Sequence, residues 1–94
     1  MNLEPWRAQI DDLDRQLVEL LNRRTSLAIE IARIKARFGA RILDGKRERS
    51  ILARVAGSNA GPLASTAVCR IFRRVLSESR RAAAAATGSQ ETAP

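Results

Sequence analysis

Residues 3–38 read LEPWRAQIDDLDRQLVELLNRRTSLAIEIARIKARF, and the spacing within this stretch decides the fold. Apolar side chains fall at Leu3, Trp6, Ile10, Leu13, Leu17, Leu20, Leu27, Ile31, Ile34 and Phe38, at steps of three and four with one longer gap after Leu20. That spacing holds one stripe along an α-helix against a facing surface. No proline or glycine interrupts the run between Pro5 and Gly39. Pro5 suits a first helical turn, where its missing N–H is not needed, and Gly39 suits a C-terminal stop. The stretch predicts one helix of about 34 residues, roughly 50 Å long. A compact chain of this length has a radius of gyration near 12 Å, a diameter of roughly 30 Å. So long a helix must project beyond its own domain with its stripe uncovered. A second copy of the chain is the natural cover, and a symmetric homodimer is expected.

Beyond a short connection through Gly39–Leu43, Asp44 reads as the N-cap of a second, shorter helix over Gly45–Ala56, with Ile51, Leu52 and Val55 on its apolar face. Residues 57–61, Gly-Ser-Asn-Ala-Gly, form a turn or loop by composition. Pro62 is expected to open a third helix whose buried face reads Val68, Ile71, Phe72, Val75, Leu76, Ser79, Ala82 and Ala83. The alanine run 82–86 favours helix, and Thr87-Gly88 ends it. No segment alternates with period two over strand length, so the fold class is all-α, with three helices per chain. Residues 1–87 form the helical domain, and residues 88–94 are expected to be a disordered tail.

With 94 residues, 45% hydrophobic and 29% charged, the chain is one small domain of ordinary soluble composition. It has no histidine and one cysteine, Cys69. The commonest metal ligand and proton shuttle are therefore missing, and neither a disulfide nor a zinc-ligand set can form within the chain. No metal and no cofactor are expected. The opening Met1-Asn2-Leu3-Glu4-Pro5 has no basic region leading into an apolar run, and no eighteen apolar residues stand together. A cytoplasmic location without membrane contact is expected.

The net charge of +7 is uneven, with 8 basic and 7 acidic side chains in residues 1–44 against 9 and 3 in residues 45–94. Fifteen of the 17 basic residues are arginine, whose planar fork suits carboxylate or phosphate. One of them stands where the apolar stripe requires an apolar side chain. Arg24 fills the gap between Leu20 and Leu27, and Lys35 lies eleven residues on, about 20° around the helix and roughly 16 Å along it. Two readings stay open. In one, Arg24 meets a carboxylate of its own protein or sets dimer register; in the other, the two cations open an anion-binding pocket. Arg7 sits roughly 25 Å up a rigid helix from Arg24, out of reach within one chain. An antiparallel partner helix could bring its own Arg7 in. Asp44-Gly45-Lys46-Arg47-Glu48 is either a charged, capped first turn or a polar edge offered to a ligand. Ser79, on the apolar stripe of the third helix, either bonds its own backbone or meets a ligand.

Taken together, Arg7; Arg24 with Leu27-Ala28-Ile29-Glu30-Ile31 and Lys35; Asp44-x-x-Arg47-Glu48; and Ser79 after Ile71-Phe72 resemble the all-helical, AroQ-class chorismate mutases, from about Trp6 to Ala83. The resemblance implies an intertwined homodimer whose long first helices pair, with two active sites that each borrow an arginine from the partner. It implies the shikimate-pathway isomerase that turns chorismate into prephenate, on the route to phenylalanine and tyrosine. That Claisen rearrangement needs no nucleophile, base or metal. The enzyme supplies a compact substrate conformer and cations where charge grows on the ether oxygen. By the same resemblance, Arg24 and the partner subunit's Arg7 hold the two carboxylates. Lys35 reaches the ether oxygen and one carboxylate. Glu48, with the backbone near Asp44, accepts from the ring hydroxyl, and Arg47 and Ser79 complete the carboxylate contacts.

One position departs from the family. Where a glutamine or glutamate usually helps bind the ether oxygen, one turn after the serine, this chain has Ala83. A slower enzyme is expected, with Ala83→Gln faster, unless a water, an arginine such as Arg80 or a partner shikimate-pathway enzyme supplies the contact. The same cation cluster would serve an isochorismate-pyruvate lyase, an aminodeoxychorismate mutase, or a weakly active regulatory dimer. A nucleic-acid module would draw on Arg70, Arg73, Arg74, Arg80 and Arg81, but these lie around several faces and no recognition motif precedes them. No nucleic-acid partner is expected.

Overall fold

The structure, a computed structural model, describes residues 1–88. It contains three helices, α1 (Glu4–Arg37), α2 (Gly45–Gly57) and α3 (Ser65–Thr87), and no strand among the described residues. The tail expected over residues 88–94 lies outside the described residues except for Gly88.

The first helix has the 34 residues its stripe predicts, with Pro5 in the first turn. It ends where Gly39 turns left-handed at φ 68°, and the Ala40 N–H donates back to the Lys35 carbonyl at 2.9 Å. Glycine carries no Cβ penalty there, so this reversal is a low-cost helix stop. Its length dominates the shape. The Cα radius of gyration is 16.2 Å and the extents are 58 × 25 × 20 Å, well above the roughly 12 Å of a compact chain of this size.

The second helix begins at its expected cap, with the Asp44 carboxylate accepting from the Arg47 N–H at 3.0 Å. The third starts later than expected, at Ser65 rather than Pro62. The cause is local bonding that the loop composition does not reveal. The Asn59 carbonyl oxygen Oδ1 accepts from the Gly61 N–H at 3.1 Å, and its Nδ2 donates to the Leu63 carbonyl at 2.7 Å and to Ser65 Oγ at 3.2 Å. One side chain thus holds the connection in a non-helical path through Pro62. The Ser65 hydroxyl in turn donates to the Ala56 carbonyl at the end of α2. Gly88, left-handed at φ 72°, closes α3.

The third helix packs against both others, while α1 and α2 do not pack against each other. The core is correspondingly small: Ala32 of α1, Ile51 of α2, and Leu76, Ala83 and Ala84 of α3, with Ser79 among them. Ile71, expected on the buried face, is 53% exposed. It lies about 100° around α3 from Phe72, to the side of the strip that meets the other helices. On α1 the residues turned toward α3 are Thr25, Ala28, Ile29 and Ala32, all partly or fully buried. The stripe from Trp6 to Phe38 lies exposed, with Leu17 57% and Leu27 67% accessible. No helix among the described residues is long and apolar enough to cross a membrane.

Candidate active site

Since α1 and α2 are bridged only by α3, a cleft opens between them, with α3 as its floor. It encloses about 340 Å³, within the size range of small-molecule sites. From α1 come Arg24 and Lys35; from the connection and α2 come Asp44, Arg47 and Glu48; from α3 come Ser79, Arg80 and Ala83. Seven of the eight residues singled out in the sequence thus meet around one space. The eighth, Arg7, stands apart on the exposed first turns of α1, ion-paired with Glu4 at 3.3 Å. That placement follows from the rigid helix between it and Arg24.

Among the described residues, Arg24 meets no carboxylate. Its Nη1 donates to the Ser79 hydroxyl at 3.3 Å, and no acidic group lies within ion-pair distance of it among the described residues. The serine, 5% exposed, therefore uses an acceptor position to orient the arginine rather than to bond its own helix. This cross-helix contact sets Arg24 at the edge of the cleft that both residues line. Lys35 stands in the last turn of α1, and its Nζ donates to the Ile42 carbonyl at 3.4 Å. The glycine reversal at Gly39 is what returns Ile42 to that lysine. This single long hydrogen bond leaves two of the three ammonium donors for other acceptors.

The Asp44 carboxylate is committed to the cap of α2. Glu48 has a different neighbour: Arg80 Nη1 donates to both of its oxygens, joining α2 to α3 across the cleft wall. This bridge is the feature that sequence reading did not assign. Arg80 entered only as one of several substitutes for a missing contact, and the structure places its guanidinium on Glu48. Arg54 also lines the cleft without having been singled out. Altogether the lining carries Arg24, Lys35, Arg47, Arg54 and Arg80 against Asp44 and Glu48. Surrounded by Leu27, Ile31, Ile51 and Leu76, these cations form an apolar-walled cavity of positive charge, suited to a small molecule bearing more than one carboxylate. No group of metal-ligating side chains occurs among the described residues.

Comparison with known proteins identifies the family and the fold. The family model "Chorismate mutase type II" matches residues 6–84. The bifunctional chorismate mutase/prephenate dehydratase of Neisseria gonorrhoeae is 40% identical over 76 residues, covering 81% of this chain and 20% of that protein. The T-protein of Enterobacter agglomerans is 36% identical over 78 residues, covering 82% and 21%. The chain thus spans about a fifth of the length of the curated relatives it matches. Among solved structures, chorismate mutase from Helicobacter pylori in complex with prephenate superposes with a TM-score of 0.85 at 32% identity, covering 95% of this chain and 97% of that one. Form II of the Thermus thermophilus chorismate mutase gives a TM-score of 0.81 at 28% identity, covering 82% and 88%.

Proposed function

The chain belongs to the chorismate mutase type II family, and on that premise we propose that it is an isomerase converting chorismate to prephenate. The observation that carries the reading is the convergence of Arg24, Lys35 and Arg47 on one apolar-walled cleft. The substrate is a flexible dianion, and the reaction breaks one C–O bond as one C–C bond forms, with no atom gained or lost. Catalysis then requires a compact conformer and positive charge at the ether oxygen as the bond lengthens. Arg24, steadied by Ser79, binds one carboxylate. Lys35 faces the ether oxygen, where its ammonium gains interaction energy as negative charge develops. Glu48 accepts from the ring hydroxyl, and Arg47 completes the carboxylate contacts. The second carboxylate falls to the partner subunit's Arg7.

This last role rests on a homodimer, which the uncovered stripe of α1 supports. Ten large apolar residues along one helix stay exposed in the single chain, from Trp6 to Ile34; such an area is normally covered by an interface. An antiparallel pair of these helices would carry each Arg7 toward the other chain's cleft. We propose a cytoplasmic setting, the compartment in which an intermediate of aromatic amino-acid biosynthesis is expected. Docking onto another shikimate-pathway enzyme is compatible with this arrangement.

The test is turnover of chorismate by the purified protein with the product identified, alongside Lys35→Ala. Prephenate formation is expected from the wild type. The variant should lose about 100- to 1000-fold, as removal of one donor to a developing oxyanion typically does. A folded protein that leaves chorismate unchanged would overturn the reading.

A further inference from the structure

The bridge between Glu48 and Arg80 has a use that the proposed reaction does not assign. Resting on that reading of the cleft, we propose that Arg80 is a positioning residue that neutralises and orients Glu48, so that the site takes a ring hydroxyl in preference to a ring ammonium. Two carboxylates line the cleft, and the Asp44 carboxylate is committed to capping α2. Glu48 is the lining carboxylate that is not used as a helix cap. Its charge is already matched. Arg80 donates to both oxygens, and the two side chains are only 27% and 23% exposed, so water screens the pair weakly.

A hydroxyl and an ammonium meet this pair differently. A carboxylate offers about four lone-pair positions, and Arg80 occupies two. A neutral hydroxyl can donate to one of those left, with the carboxylate held in place by the arginine. An ammonium would gain the same hydrogen bond but would stand beside a guanidinium, and like charges at contact distance repel. Arg24, Lys35, Arg47 and Arg54 around the same space add to that penalty. Of the other α3 residues that line the cleft, Ser79 points at Arg24, and Leu76 and Ala83 have no polar side-chain atom.

Isothermal titration of the purified protein with prephenate and with its ring-amino counterpart tests the proposal apart from turnover. The wild type should favour the hydroxyl compound by about tenfold, equivalent to ~1.4 kcal/mol. In Arg80→Met the preference should vanish or reverse, because the amino compound then finds an unmatched Glu48. Arg80→Lys, which keeps the charge without the fork, should retain the preference while weakening binding of both. Should circular dichroism show Arg80→Met unfolded, Arg80→Gln is read in the same way. An unchanged ratio in the neutral variant overturns the role of Arg80 alone. Failure of the wild type to bind either compound overturns the reading of the cleft beneath it.

Discussion

The two halves of α1 share one period and one helix, yet they are used differently. In the first half, from Glu4 to about Leu20, nothing among the described residues covers the apolar side chains; Ile10, Leu13 and Leu17 are all more than half exposed. In the second half, Thr25, Ala28, Ile29 and Ala32 settle on α3, and Arg24 and Lys35 reach around this contact into the cleft. The exposed stripe continues through both halves, past Leu27 and Ile34. The second half therefore has two faces in service, one toward its own α3 and one left open, while the first has only the open one. A helix can pack against its own chain with one face and remain available for assembly with another, because its period sets Thr25, Ala28, Ile29 and Ala32 apart from the stripe, whose Leu27 and Ile31 also border the cleft.

The sharpest way to break this comparison is to put the two halves in competition for activity. Arg7→Ala and Arg24→Ala should each be nearly inactive, since each removes a carboxylate partner from every site. Refolded together, they should recover turnover, because a mixed dimer contains one site with both arginines intact. Verified mixed dimers without activity would place both arginines' roles within one chain. Next in size is Leu17→Asp, which touches only the first half. It should convert a dimer to monomers in sedimentation equilibrium at micromolar concentration while the helical circular dichroism largely persists. A dimer unaffected by that charge would mean that the stripe is covered by something else.

A smaller effect is expected on the cleft side. Asp44→Ala removes the cap of α2 and should lower stability by about 1 kcal/mol, read as an earlier chemical-denaturation midpoint with the slope unchanged. Smallest is Ala83→Gln. Ala83 is only 2% exposed but lines the cleft, so a longer side chain there is directed along the floor toward the space between the two helices. A gain of a few-fold in kcat is expected, in the range of one added neutral hydrogen bond. If that variant folds normally and turns over at the wild-type rate, the alanine is no handicap.

Much of α1 was legible because its evidence is local and repeated. Ten apolar positions, an early proline and a following glycine all state the same helix, and Arg24 is conspicuous because it interrupts that pattern. Asp44 was legible for a similar reason, since a cap lies next to what it caps. The start of α3 was not, because Pro62 is a good first helical residue in isolation, while Gly61 is left-handed and the Asn59 side chain bonds the loop in a non-helical path. Nor was the Glu48–Arg80 bridge. Its partners are 32 positions apart and each is ordinary on its own helix surface. The orientation of Ser79 toward Arg24 spans 55 positions, and no periodicity carries such information. What sequence spacing conveys is which side chains share a face. Which faces meet is decided by packing.

That α1 and α2 touch only through α3 bears on how the site comes into being. A growing chain emerges from the ribosome with its N-terminal end first. It can complete both walls of the cleft, with Arg24, Lys35 and Glu48 already on helices, and still hold no cleft at all. The walls acquire a fixed separation only when the stretch from Leu76 to Ala84 arrives and wedges between them. The cleft is therefore a product of α3, and a chain cut short before that stretch has Arg24, Lys35 and Arg47 but neither Arg80 nor a floor on which they converge.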